Sequence, residues 1–339
     1  MSRRSSSPLI PSVFSSLWRA ALTGLGALAL AGLTLPASAA IPASERTVLD
    51  ALYNQTDGAN WNDNSGWTGA AGTECDWYGI TCDATEDHVT GIKLSYNNLS
   101  GTLPDLSALT ALQDFRVHDN DLSGPIPELS TLTALRRFHV HRNQLEGQLP
   151  VLPPSIIEFH GYVNGLTGPI PALSTLTVLE DFRVHGNDLS GSIPELSALT
   201  ALRRFHVHSN DLDGQLPTLP ASITHFTASN NKLSGPIPDL SASPSLTTFW
   251  VDENQLSGAP AAVPPTSLTN ARVCPNYLEL SGDPAINTAW ETATGNTPWN
   301  EGCTRAPAPA AIPTLSAWTL ALLSLLLGGI AIWRRPNAG

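Results

Sequence analysis

The stretch LQDFRVHDNDLSGPIPEL, residues 112–129, recurs along the middle of the chain with only its variable positions changed. Aligned on the asparagine, LSYNNLSG, VHDNDLSG, VHRNQLEG, GYVNGLTG, VHGNDLSG, VHSNDLDG, ASNNKLSG and VDENQLSG place Asn97, Asn120, Asn143, Asn164, Asn187, Asn210, Asn231 and Asn254 at steps of 23, 23, 21, 23, 23, 21 and 23. A unit of this length cannot bury its own apolar face, so neighbouring coils must stack and share one core. Leu112, Phe115, Val117 and Leu122 then point inward in one coil, with Leu135, Phe138, Val140 and Leu145 above them. The step pattern closes after 67 residues, so FHVH at 138–141 and again at 205–208 marks a duplicated three-coil block.

The pattern LxxFxVxxNxLxGxIPxL matches the leucine-rich repeat. Tails such as LSGPIPEL resemble the plant-type repeat, and the two shorter units through VLPPSIIEF and TLPASITHF resemble the compact bacterial type. The resemblance implies an α/β fold: a solenoid of about eight coils over residues 88–260, with a parallel sheet on its concave face. Residues 40–87 resemble the N-terminal cap of plant-type leucine-rich repeat proteins, through the early helix ending in Ala51, Leu52 and Tyr53 and through Trp61, Trp67, Cys75, Trp77, Gly79 and Cys82. Residues 261–303 resemble a C-terminal cap anchored by Trp290 and Trp299. Four cysteines allow three pairings. Their grouping at the two ends favours Cys75–Cys82 and Cys274–Cys303, each closing one cap, in a compartment that permits disulfides.

Both termini read as targeting segments. Arg3 and Arg4, an uncharged run from Ala20 to Leu35 and the small residues Ala37-Ser38-Ala39 form an export signal over 1–39. TRAPAPAA, residues 304–311, is a Pro/Ala linker. Residues 312–339 open with Ile312-Pro313-Thr314-Leu315 and Trp318, continue uncharged to Trp333 and end in Arg334 and Arg335. They resemble the IPTL-type C-terminal sorting signal of Gram-negative bacteria, with Ala317 where an acidic residue usually precedes the tryptophan. That resemblance implies an exosortase-like processing enzyme as partner. It also implies a transient membrane helix and delivery to the cell surface or the extracellular space. The alternative is a permanent anchor.

The formal charge is −12, and removal of both ends takes five arginines and no acids, excepting the linker's Arg305, leaving −17. Such a body repels phosphate backbones, which argues against nucleic acid as a partner. GxSxG, HExxH, P-loop and GxGxxG motifs are all absent from the sequence, so no catalytic residue is assigned and the chain reads as non-enzymatic.

The candidate binding residues come from the outward positions that flank the inward valine of each strand. One column reads Lys93, Arg116, His139, His160, Arg183, His206, Thr227 and Trp250. The next reads Ser95, His118, His141, Tyr162, His185, His208, Ser229 and Asp252. Seven of the nine histidines thus share one solvated face. The expectation is a surface for a protein or glycan ligand, anionic or aromatic-rich, that becomes more cationic as pH falls through the ordinary histidine value of ~6.5. A structural envelope or matrix component without a specific ligand is the competing reading. His118, His139, His141 and His160, and separately His185, His206 and His208, lie near enough to share an ion. Open sheet faces rarely supply the outer hydrogen bonds that hold metal-binding imidazoles, so no metal ligand and no cofactor is assigned.

Overall fold

The computed structural model describes residues 41–303. The expected export signal, Pro/Ala linker and sorting segment with its membrane helix lie outside the described residues. No helix among the described residues is long and apolar enough to cross a membrane.

Parallel pairing follows the repeat. Strands at Val89–Lys93, Asp114–Arg116, Arg137–His139, Glu158–His160, Asp181–Arg183, Arg204–His206, His225–Thr227, Thr248–Trp250 and Asn270–Arg272 form one sheet, with Ile80–Cys82 antiparallel at its N-terminal edge. The repeat therefore makes nine coils, one more than the eight aligned asparagines indicate. The ninth starts inside the expected C-terminal cap, where Asn276 takes the ladder position 22 residues after Asn254.

The strand centres are Phe115, Phe138, Phe159, Phe182, Phe205, Phe226 and Phe249, all fully buried. The parallel register sets each against the next, and successive rings stack at 5.1–5.9 Å. Burying each such ring contributes about 1.5–3 kcal/mol, and the run makes one continuous apolar spine. Phe249 hands the spine to Trp290 at 6.5 Å, and Trp290 packs on Trp299 at 5.9 Å.

Where each strand turns away, the repeat asparagine binds three backbone groups. Asn187 Nδ2 donates to Val184 O in its own coil at 2.9 Å and to Gly161 O in the preceding coil at 3.1 Å, while its Oδ1 accepts from Leu166 N–H at 3.0 Å. The sharp bend leaves these groups without strand partners, and burial makes leaving them unmet costly. The asparagine thus joins adjacent coils as well as closing its own turn. After it the chain runs through a second parallel layer of short strands, from Ser100–Thr102 to Asp211–Asp213 and then from Ser234–Gly235 to Tyr277–Leu278.

Both lids have the expected links. Helix α1, Ala43–Gln55, buries Leu49 and Leu52, and the Cys75–Cys82 disulfide closes a layer of Trp61, Trp67 and Trp77. Glu45, in the first turn of α1, ties the helix to the first coil: His88 Nδ1 stands 2.6 Å from its carboxylate, which accepts from Val89 N–H at 2.8 Å. Gly101 is required where α1 ends: its φ is +124°, and a Cβ there would stand 2.1 Å from Gln55 O. At the other end Cys274–Cys303 ties the ninth coil to the segment following helix α2, Pro284–Thr294. Asp283 caps that helix by accepting from Ala285 N–H at 2.8 Å.

Candidate functional site

Strand register brings the predicted residues into the predicted rows. Arg116, His139, His160, Arg183, His206, Thr227 and Trp250 are successive partners across the sheet. In the second row His118, His141, Tyr162, His185 and His208 form one face-to-face stack, with ring centroids at 4.3, 4.2, 4.5 and 4.2 Å. The spacing of parallel strands, ~4.8 Å, falls in the range of offset ring stacking, so rings at identical positions on adjacent coils stack instead of standing apart in water. His139 and His160 stack the same way at 4.1 Å.

This stacking corrects the expectation of a solvated histidine face. His139 and His141 are 8% and 7% exposed. It also corrects the expected acid response. Desolvation, aided by His160 and Arg116, pushes His139 down to about 2. Desolvation with His118 and His160 puts His141 at about 3. Desolvation with His208 and His206 puts His185 at about 3, and desolvation with Arg183 puts His206 at about 4. Burial also lowers His208. His139, His141, His185 and His206 therefore stay neutral through mildly acidic pH.

A third row was missed from sequence: Asp114, Arg137, Glu158, Asp181, Arg204 and His225 lie two residues before the first row on the same strands. The two-residue period of a strand puts them on the same face, which is the signal that could have found them. Asp114 accepts from Arg116 Nε at 2.7 Å, and Arg137 Nη1 stands 3.8 Å away. Asp181 accepts from Arg183 Nη2 at 2.7 Å and from Arg204 Nη1 at 3.3 Å. Burial opposes ionisation of Asp181, but the bonds and charge of Arg183 overcome it and hold the carboxyl well below the usual range. His160 Nε2 stands 3.6 Å from Asp181, beyond hydrogen-bonding reach. The arginines of the face are thus largely matched by carboxylates, and a general attraction for anions is not what the geometry offers.

Trp250 and Asp252 sit apart, toward the C-terminal end. Arg272 lies 4.2 Å over the Trp250 ring, whose Nε1 donates to Asn270 Oδ1 at 3.1 Å. Ser229 donates to Asp252. Tyr96 stands edge-on to His118 at 5.4 Å and is largely exposed. His185, His206 and His208, near enough by spacing to share an ion, do not form a three-ligand set: such sets among the described residues are His118, Asp119 and His141, and His139, Glu158 and His160.

Residues 310–336 match the IPTL-CTERM motif. The described fold is similar to the leucine-rich repeat ectodomain of the membrane receptor kinase GASSHO1/SCHENGEN3 of Arabidopsis thaliana, solved in complex with Casparian strip integrity factor 2. The TM-score is 0.54 at 28% identity, covering 60% of this chain and 26% of that one. The PEPR1–AtPEP1 structure shares the fold with a TM-score of 0.51 at 22% identity, covering 70% of this chain and 42% of that one. A probable leucine-rich repeat receptor-like serine/threonine-protein kinase of Arabidopsis thaliana is 38% identical over 61 residues, 18% of this chain and 8% of its own length. The chain spans less than half the length of each of these relatives.

Proposed function

We propose, from the leucine-rich repeat solenoid joined to an IPTL-CTERM motif, that this chain is exported, processed at its C-terminus by an exosortase-like enzyme and displayed at the cell surface. There it binds a polypeptide along the concave face and catalyses nothing. The observation that carries the choice of ligand is the ring stack. Sugars dock on exposed aromatic faces, and here the faces of His118, His141, Tyr162, His185 and His208 are largely taken up by one another. What remains toward solvent is a row of ring edges, and in-plane donors and acceptors of that kind suit the amides of a peptide backbone. The complex formed by the GASSHO1/SCHENGEN3 ectodomain supports a ligand-binding use of the same fold.

Affinity measurements against an array of peptides from envelope and secreted proteins test this. Arg116→Ala and Trp250→Ala are expected to weaken the peptides selected by the wild type at least tenfold each. Val178→Ala, at an exposed site away from the rows, is expected to leave them unchanged. Selection of glycans in preference to peptides, or equal effects of all three substitutions, contradicts the proposal.

A further inference from the structure

The two copies of the 67-residue block are not chemically equal. In the first, Asp119 Oδ2 lies 2.9 Å from His118 Nδ1 and 3.9 Å from His141 Nε2. Glu158 Oε2 lies 3.1 Å from His139 Nε2, and His160 stacks on that same ring. Each trio offers one donor atom per residue, all within 4.8 Å of one another. Sixty-seven residues later the matching positions are His185, Gly186 and His208, and His206, His225 and Thr227. Both carboxylates are gone there, and His206 Nδ1 is taken up by Thr227 Oγ1 at 2.8 Å.

Two further observations separate the trios from ordinary ion pairs. His141 Nδ1 and His160 Nε2 are buried without a hydrogen-bond partner, an uncommon state for a polar atom in a folded interior; His185 Nδ1 in the second block shares it, but there Gly186 stands in place of Asp119 and supplies no carboxylate. Each carboxylate also has its second oxygen turned to an arginine: Asp119 Oδ1 to Arg142 Nη1 at 3.4 Å, and Glu158 Oε1 to Arg137 Nε at 3.6 Å. Such outer contacts orient a ligating carboxylate and leave its other oxygen free. The objection drawn from an open sheet face therefore does not hold here, because stacking and these arginines fix the donors.

We propose that the first block holds a divalent transition-metal ion of the Zn2+ class at each of two neighbouring sites, one on His118, Asp119 and His141 and the other on His139, Glu158 and His160. Two imidazoles and one carboxylate suit zinc, nickel, copper or ferrous iron, whereas calcium and magnesium prefer all-oxygen shells. Bonds of ~2.0–2.1 Å in a tetrahedral shell set donor separations near ~3.3 Å, so binding tilts the donor edges of each stacked pair together by roughly 1 Å. Three protein ligands leave a fourth position for water or for a donor of a bound partner. The sites do not depend on the polypeptide reading, and the metal alone tests them.

The full chain, stripped with EDTA and dialysed, is titrated with zinc against a chromophoric chelator. The expected stoichiometry is two ions per chain. Asp119→Asn and Glu158→Gln each lower it to one, the pair together lower it to none, and His206→Gln with His208→Gln leaves two. Histidine NMR of the wild type supplies a second reading that needs no variant: zinc shifts the Hε1 signals of His118, His139, His141 and His160 and spares His185, His206 and His208. Absence of stoichiometric binding overturns the proposal. So does a stoichiometry indifferent to the two carboxylate substitutions, and so does zinc shifting the second block as strongly as the first.

Discussion

Acidification tests whether the histidine columns are buried in the sense described. In the unfolded chain each ring takes up a proton near ~6.5. In the folded, metal-free protein desolvation and neighbouring positive groups hold His139 at about 2, His141 and His185 at about 3 and His206 at about 4. Between about pH 4 and 6.5 the unfolded state therefore binds more protons than the folded state, so stability rises with pH across that window and is lost as pH falls through it. At pH 5.5 the difference is about 1.4 kcal/mol per ring, and about half of the four-ring sum, ~3 kcal/mol, remains after discounting for water at the rim of the face. Urea denaturation in EDTA at pH 7.5 and 5.5 reads this loss, and His139→Gln with His141→Gln reduces it by about half. Histidine NMR titrations read the same property site by site. An unchanged urea midpoint, or all four rings titrating together near 6.5, refutes the burial argument.

The asparagine ladder predicts that Asn187→Ala leaves Leu166 N–H, Gly161 O and Val184 O without partners. At roughly 1–3 kcal/mol per unmet buried group a loss of at least about 3 kcal/mol is expected by urea denaturation, and amide exchange should open between the fourth and fifth coils first. For the C-terminus, mass spectrometry of the surface form is expected to lack peptides containing Trp333, and Pro313→Ala is expected to trap the full-length chain in the inner membrane. Intact C-terminal peptides in released protein contradict the processing step.

Most of the fold was legible because the solenoid repeats one local decision. Phe115 and its counterparts alternate with outward residues at a period of two, and the asparagine returns every 21 or 23 residues, so inward and outward sets follow from spacing alone. The ninth coil escaped notice because Ala271 replaces the phenylalanine and no IP-containing tail follows Asn276. The rows of the candidate site were legible for the same reason as the core, but their burial was not. Periodicity assigns His139 and His141 to the outer face, and only the inter-strand distance makes imidazoles on adjacent coils shield one another. The pairing of Asp114, Glu158 and Asp181 with that face was also hidden, because the pattern that defines the repeat starts from the inward residues and passes over the carboxylates beside them.

Under the proposed function the concave face engages a polypeptide at the cell surface. A photo-crosslinking amino acid incorporated at the exposed position 93, beside Arg116 in the first row, and separately at the exposed position 178, tests it in whole cells that display the processed chain. Binding along the concave face gives a discrete protein adduct from position 93 that competing selected peptide abolishes, and none from position 178. Adducts of equal yield from both positions, or adducts only from position 178, contradict it.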